Sequence, residues 1–155
     1  RVYPKQILMR EAKKYEVLIK ERRALGELDH PDSSVINLKN VSHNVREIQW
    51  EGNDLVGTVE ILPTPSGNIL KELLKADILL GISSRGMGSV EPIGKGKVQV
   101  GEDFELLGWD FVSNPSTHGA FMTPLKESKH YATADICGDY CKAQNLMREI
   151  ITELV

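Results

Sequence analysis

Two β-prone runs, Val41–Trp50 and Leu55–Leu62, are separated by only Glu51-Gly52-Asn53-Asp54, a string of turn residues. Runs of this length with so short a connection pair most directly with each other, as an antiparallel β-hairpin. Within the second run Leu55, Gly57, Val59 and Ile61 fall on one side and Thr58 and Glu60 on the other, the alternation of a sheet with one solvated face. Whatever else the chain does, it has to supply a layer that covers the apolar side of this hairpin.

The remaining segments supply such layers. Pro4 suits the first residue of a helix, and after it Leu8, Ala12, Tyr15 and Ile19 recur at helical spacing, predicting an amphipathic helix that ends near Gly26. Pro63-Thr64-Pro65-Ser66-Gly67 breaks the second β run, and Ile69, Leu70, Leu73 and Leu74 predict a short second helix. A strand is predicted over Ile78–Ile82, followed by a glycine-rich segment. Two more strands are predicted over Lys97–Val100 and Phe104–Val112, closing on the turn Ser113-Asn114-Pro115-Ser116. The tail after Pro124 is polar, and Leu146, Ile150 and Leu154 point to a last helix. This pattern predicts an α+β domain built on a small, mainly antiparallel β-barrel or curled sheet with peripheral helices. Its expected extent is 1–124, with 125–155 as a C-terminal tail or helical extension. The chain opens at Arg1 without an initiator Met, and it is expected to be a piece that lacks an N-terminal segment.

Charge narrows the function classes. With 19 Lys and Arg against 22 Asp and Glu, the 155-residue chain carries a formal net charge of −3, without the basic surplus that nucleic-acid or anionic-membrane binding calls for. No apolar run is long enough for a transmembrane span. Two cysteines, Cys137 and Cys141, cannot build a disulfide scaffold, so a reducing compartment is expected.

The densest candidate for chemistry is Leu80-Gly81-Ile82-Ser83-Ser84-Arg85-Gly86-Met87-Gly88-Ser89. A strand running into two hydroxyl residues and an Arg-Gly-x-Gly stretch can expose a serine at its end, with glycines that let backbone N–H groups face a carbonyl oxygen. The plainer reading is a polar glycine-rich loop. Nucleotide loops fit worse, because no G-x-x-x-x-G-K-[ST] or full G-x-G-x-x-G is present. A serine nucleophile needs a base. His30 lies in the turn-like Gly26-Glu27-Leu28-Asp29-His30-Pro31, and His43 lies on the Val41 and Val45 side of its strand, as a core residue or a second site histidine. His118 and His130 carry little signal. Asp110, among Leu107, Trp109, Phe111 and Val112, is expected to be part-buried and to need a partner, either a histidine or Arg85. His130, Cys137 and Cys141 could together offer zinc three ligands, but their spacing matches no familiar site.

Five ordered blocks carry a more specific signal: Arg1-Val2-Tyr3-Pro4-Lys5, Ala24-Leu25-Gly26-Glu27-Leu28-Asp29-His30-Pro31, Trp50-Glu51-Gly52-Asn53-Asp54, Gly81-Ile82-Ser83-Ser84-Arg85-Gly86-Met87-Gly88-Ser89 and Trp109-Asp110-Phe111-Val112-Ser113-Asn114-Pro115-Ser116. Over about residues 1–124 they resemble the prohead core proteases of T-even-type tailed bacteriophages. The resemblance implies a capsid-maturation serine protease related in fold to the herpesvirus assembly proteases. Such an enzyme works inside the viral prohead, in the cytoplasm of the infected cell. It cleaves scaffold and capsid proteins, and often itself, commonly after a glutamate. Carried over by motif position, the nucleophile is Ser83, the base is His30 and the acidic member is Asp110, with His43 as the alternative third member. Backbone amides around Ser84, Arg85 and Gly86 would form the oxyanion site, with Arg85 in support. No metal or organic cofactor is required, no nucleic acid or membrane is implied as partner, and a homo-oligomer is compatible with the setting. Glu149 is a conceivable self-processing point. The rival reading is a non-enzymatic capsid-assembly or scaffold module that keeps the protease fold.

Overall fold

The computed structural model describes residues 1–31, 33–117, 119–125 and the backbone of 144–150. The hairpin lies where its turn residues put it: β2 (Val41–Glu51) and β3 (Asp54–Ile61) are antiparallel, with Trp50 opposite Leu55 and Glu51 opposite Asp54. They form the middle of a five-stranded antiparallel sheet in the order β1-β2-β3-β9-β8, where β1 is Leu25–Glu27, β8 Thr123–Leu125 and β9 Gln144–Ile150. A second ribbon pairs β4 (Gly81–Met87) with β7 (Glu105–Val112), and a third pairs β5 (Val90–Gly94) with β6 (Lys97–Val100). The ribbons are stitched to the main sheet and its flanks. Leu28 bridges Phe111, Gly81 bridges Phe121, and Ile82 N–H donates to the Ala120 carbonyl at 2.9 Å. Mixed helix and mainly antiparallel sheet is therefore the architecture, and closure into a barrel is not seen among the described residues.

Helix α1 (Lys5–Lys20) buries Leu8, Ala12 and Tyr15 of the face its spacing marks out, with Ile19 half-buried and Ile7 buried beside them, and Tyr15 stands edge-on to Trp109 of β7 at 4.6 Å between ring centroids. Glu11 is buried on the same face, where it accepts from Leu106 N–H and pairs with Arg10 and Lys14. Such a tie compensates the burial of its charge. The helix α2 (Pro65–Lys75) starts with Thr64 as its cap, accepting from Gly67 N–H at 3.0 Å, and with Pro65 in the first turn. It buries Leu70 completely and packs on β2. One consequence is that Val41 to Val45 of β2 are all buried, both faces of the strand being covered at that end.

Four local expectations differ from the structure. Gly26 does not end the first helix. The helix stops at Lys20, the chain reverses through Arg22 in the left-handed region (φ 57), and Gly26 lies in β1. Its missing Cβ answers to packing, because a Cβ there would lie 2.2 Å from both His43 Nε2 and the Trp109 carbonyl oxygen. The strand expected over Ile78–Ile82 begins only at Gly81, with Ile78 and Leu79 exposed. The Ser83-Ser84-Arg85-Gly86 stretch is neither a loop nor a strand end but the middle of β4, paired with β7 in a ladder whose register shifts between Arg85 and Gly86. Finally, Gln144–Ile150 is a strand where a helix was expected from Leu146 and Ile150. A spacing of four is shared by both periodicities, and pairing along the whole of β3 decides for the strand. Leu154 lies outside the described residues.

Candidate active site

The β4–β7 ribbon builds the floor of the site. Ser83 is directly opposite Asp110, so their side chains leave the ribbon on one face. Arg85, two residues further along β4, shares that face and is opposite Gly108, which leaves room for a long side chain. The bridge between Leu28 and Phe111 and the bond from Asp29 N–H to the Phe111 carbonyl, 2.7 Å, then lead the segment after β1 across the end of β7. That crossing brings in His30, whose Nδ1 lies 2.9 Å from Asp110 Oδ2.

Asp110 is fully buried and held on both oxygens. Oδ2 accepts from His30 Nδ1, while Oδ1 accepts from Glu27 N–H at 2.9 Å and from Arg85 Nη2 at 3.1 Å. Burial pushes its carboxyl above the ordinary carboxylate range, and the Glu27 amide, the Arg85 cation and the hydrogen bond with His30 oppose that push. An imidazole whose Nδ1–H donates to a carboxylate presents Nε2 as the basic nitrogen. The His30 side chain keeps 40 % of its exposure, so that nitrogen is reachable.

Ser83 is 2 % exposed, and its Oγ is 2.9 Å from Ser116 Oγ in the turn after β7. Its hydroxyl is bonded to Ser116 and not to His30. Catalytic hydrogen bonds are often long or unmade in the absence of substrate, so this geometry is compatible with a nucleophile at Ser83. Backbone N–H groups alternate in direction along a strand. Since Ile82 N–H donates to Ala120 on the edge away from β7, the amide of Ser84 points to that same outer edge and the amide of Arg85 points into the ladder.

The other expected residues are committed elsewhere or to carboxylates. His43 is fully buried, with Ser42 Oγ 2.9 Å from Nδ1 and with Nε2 donating to the Trp109 carbonyl at 3.0 Å. Burial lowers it to about 4, so it is neutral near pH 7 and both nitrogens are engaged. The Arg85 guanidinium bonds Asp110, Glu27 and the Ser33 carbonyl. Gly86 is a packing glycine, since a Cβ would meet the Phe104 ring at 2.4 Å. His118, His130, Cys137 and Cys141 lie outside the described residues, and among the described residues no group of three or more His, Cys, Asp and Glu could hold a metal. No helix among the described residues is long and apolar enough to cross a membrane.

Two residues escaped the sequence reading. Glu27 is buried with its carboxylate against Arg85, and Ser116 contacts the candidate nucleophile. The block around His30 holds two carboxylates, Glu27 and Asp29, and only the tertiary structure separates the buried one from the exposed one.

Comparison of the chain with known proteins finds both similar sequences and a similar fold. A family model described as prohead core protein serine protease matches residues 1–130. A prohead core protein protease of Enterobacteria phage T4 is 36 % identical over 141 residues, which is 87 % of this chain and 65 % of that protein. The chain thus spans somewhat less than two thirds of that relative's length. The solved structure of the capsid assembly protease of bacteriophage T4 superposes with a TM-score of 0.69 at 31 % identity, covering 73 % of this chain and 71 % of the other.

Proposed function

The chain belongs to the prohead core protein serine protease family, and from that premise we propose that it is a serine endopeptidase of prohead maturation. Its substrates are phage scaffold and capsid proteins, with its own chain as a further candidate, and it acts inside the prohead in the host cytoplasm. The observation that carries the reading is the 2.9 Å bond between His30 Nδ1 and Asp110 Oδ2, on the face from which Ser83 also projects.

In this reading His30 Nε2 takes the proton of Ser83 Oγ as the oxygen attacks the scissile carbonyl carbon, and Asp110 stabilises the resulting imidazolium. The oxyanion is held by outward-facing backbone amides at Ser84 and, next along the edge, Gly86. When the tetrahedral intermediate collapses, the C–N bond breaks and the leaving amine takes its proton from His30. Water then attacks the acyl-enzyme, returning the proton to Ser83 through His30. Because the His43 ring is neutral and internally bonded, Asp110 and not His43 is the third member we assign. The guanidinium of Arg85 is committed to carboxylates, so its support of the oxyanion site would be indirect. The protease unit is assigned to 1–124, with 125–155 an extension that contributes β9. The finer fold assignment, a curled antiparallel barrel of the herpesvirus assembly-protease type, belongs to the same proposal and is supported by the bridges that join the β4–β7 ribbon to the segments flanking the main sheet.

The test is incubation with the cognate scaffold protein, followed by mass mapping of the new chain ends. Discrete fragments from the wild type and none from Ser83→Ala are expected. Identical fragments from both would refute the assignment. One observation favours the non-enzymatic module instead, namely that Ser83 is only 2 % exposed. Serine-directed phosphonate labelling inside assembled proheads separates the two, because the module predicts no labelling at Ser83 even there.

A further inference from the structure

Behind the His30–Asp110 pair lies a second layer of charge. Glu27 and Arg85 form an ion pair at 3.1 Å with side chains 1 % and 7 % exposed. A buried ion pair is weak evidence for stability, because desolvating both charges offsets most of their attraction, and so its position has to be explained by something other than strength. Its connections supply the explanation. Glu27 Oε1 accepts from Arg85 Nη1 and from Asn37 N–H at 3.0 Å, while Arg85 Nη2 donates to Asp110 Oδ1 at 3.1 Å. Asp110 in turn holds His30. The chain of bonds therefore begins at Asn37 and ends at His30, both on the segment between β1 and β2, and it runs through β1, β4 and β7 on the way. A guanidinium can serve two carboxylates at fixed angles through separate N–H groups, which an ammonium cannot reproduce.

We propose that Glu27 and Arg85 are a positioning pair for the catalytic site, in which Glu27 anchors the guanidinium so that it braces Asp110 Oδ1 and sets the net charge beneath His30. The inference rests on the protease reading for its consequence in catalysis but not for its electrostatics. Arg85 alone would leave an excess cation beside Asp110, and Glu27 alone would put a second carboxylate there. Removing either partner therefore perturbs His30 in opposite senses. The other groups around the network are Asp29, whose Oδ1 accepts from His30 N–H, Tyr15 of α1 and His43 of β2. Burial holds Tyr15 above its ordinary range and His43 below it, so both are neutral near pH 7 and neither compensates a lost charge.

The experiment compares the wild type with Glu27→Gln, Arg85→Gln and the double variant on the full chain. Two readouts are taken. The first is the acid limb of kcat/KM for a scaffold-derived peptide, and the second is the NMR titration of the His30 ring in a Ser83→Ala background, which needs no activity. Arg85→Gln is expected to move both midpoints up by about half a pH unit and Glu27→Gln to move them down by a similar amount, as for a unit charge a few residues' width away and partly screened. The double variant should return to within about 0.2 unit of the wild type, and kcat should fall about 10–100-fold in each single variant with KM little changed. Midpoints that coincide in all four proteins, or that move in the same direction in both single variants, overturn the proposal. Should Arg85→Gln fail to fold, Arg85→Lys replaces it. The expected result is then an unmoved midpoint with kcat about tenfold lower, since charge is kept and the fork is lost; full turnover in Arg85→Lys would also overturn the positioning role. If the wild type cleaves nothing while the His30 titration still shifts in opposite senses, the protease reading fails and the electrostatic pair stands.

Discussion

Two histidines bond to neighbouring residues of the same strand, and they end in opposite surroundings. His30 reaches the Asp110 carboxylate from a surface segment with 40 % of its side chain exposed, whereas His43 reaches the Trp109 carbonyl from inside β2 with none. Residue 109 offers its backbone carbonyl as acceptor to one ring, and residue 110 its side-chain carboxylate to the other. The ring at Trp109 has protein on both nitrogens and an edge contact from Phe111 at 4.8 Å. By contrast, the ring at Asp110 has a carboxylate on one nitrogen and an open side on the other. What separates a core histidine from a candidate base is therefore the surroundings of the nitrogen that does not face the strand.

That contrast can be broken most directly by exchanging losses. His30→Ala is expected to reduce kcat/KM by at least about 10³-fold and Asp110→Asn by about 10²–10⁴-fold, while His43→Gln stays within about tenfold of the wild type. A larger loss for His43→Gln than for Asp110→Asn, in the same cleavage assay, would reverse the roles of the two rings. The next effect is on stability. An unfolded imidazole titrates near 6.5 and the buried His43 near 4. Between those values the unfolded chain binds the extra proton, so stability is fully present above about 6.5 and is lost as pH falls toward 4, by up to about 3 kcal/mol. Urea unfolding from pH 7 to 4 measures this slope, and His43→Gln should flatten it. A slope that survives the substitution would place its origin in other groups, such as the buried Glu11.

A smaller change sharpens the same contrast from the side of packing. Gly26→Ala would drive a Cβ into the His43 ring and the Trp109 carbonyl, each 2.2 Å away. A destabilisation of about 2 kcal/mol is expected, read as a lowered urea midpoint with an unchanged m-value. If alanine is tolerated without loss, the His43 socket is looser than its contacts imply. The smallest effect is expected at Ser116, whose hydroxyl bonds Ser83. Ser116→Ala should change kcat by no more than about fivefold, because the bond holds a resting hydroxyl and takes no part in proton transfer.

Much of the fold was legible because its signals are local. The Glu51-to-Asp54 turn, much of the apolar face of α1 and the helical spacing of Ile69 to Leu74 in α2 each depend on residues a few positions apart, and each lies within the element that spacing predicts. Readings failed where two periodicities or two uses of one residue type coincide. Gly26 reads as a helix stop but is a gap for an imidazole, and Ser83 reads as a strand end but lies within a ladder. The motif blocks point to His30, Ser83 and Asp110 as site candidates, and the structure places His30 against Asp110 and Ser83 opposite Asp110. Glu27 carries no local mark that distinguishes it from the exposed Asp29 beside it.

By itself, then, the sequence determined the secondary elements that rest on short-range periodicity and the residue types from which a serine-based site could be assembled. Tertiary structure alone decided which histidine meets which acceptor, since His30 and Asp110 are 80 residues apart and their bond depends on the crossing of the β1 exit over β7. It also decided which carboxylates are buried. Desolvation and long-range pairing are properties of the packed chain and have no period along it, so no local pattern can report them.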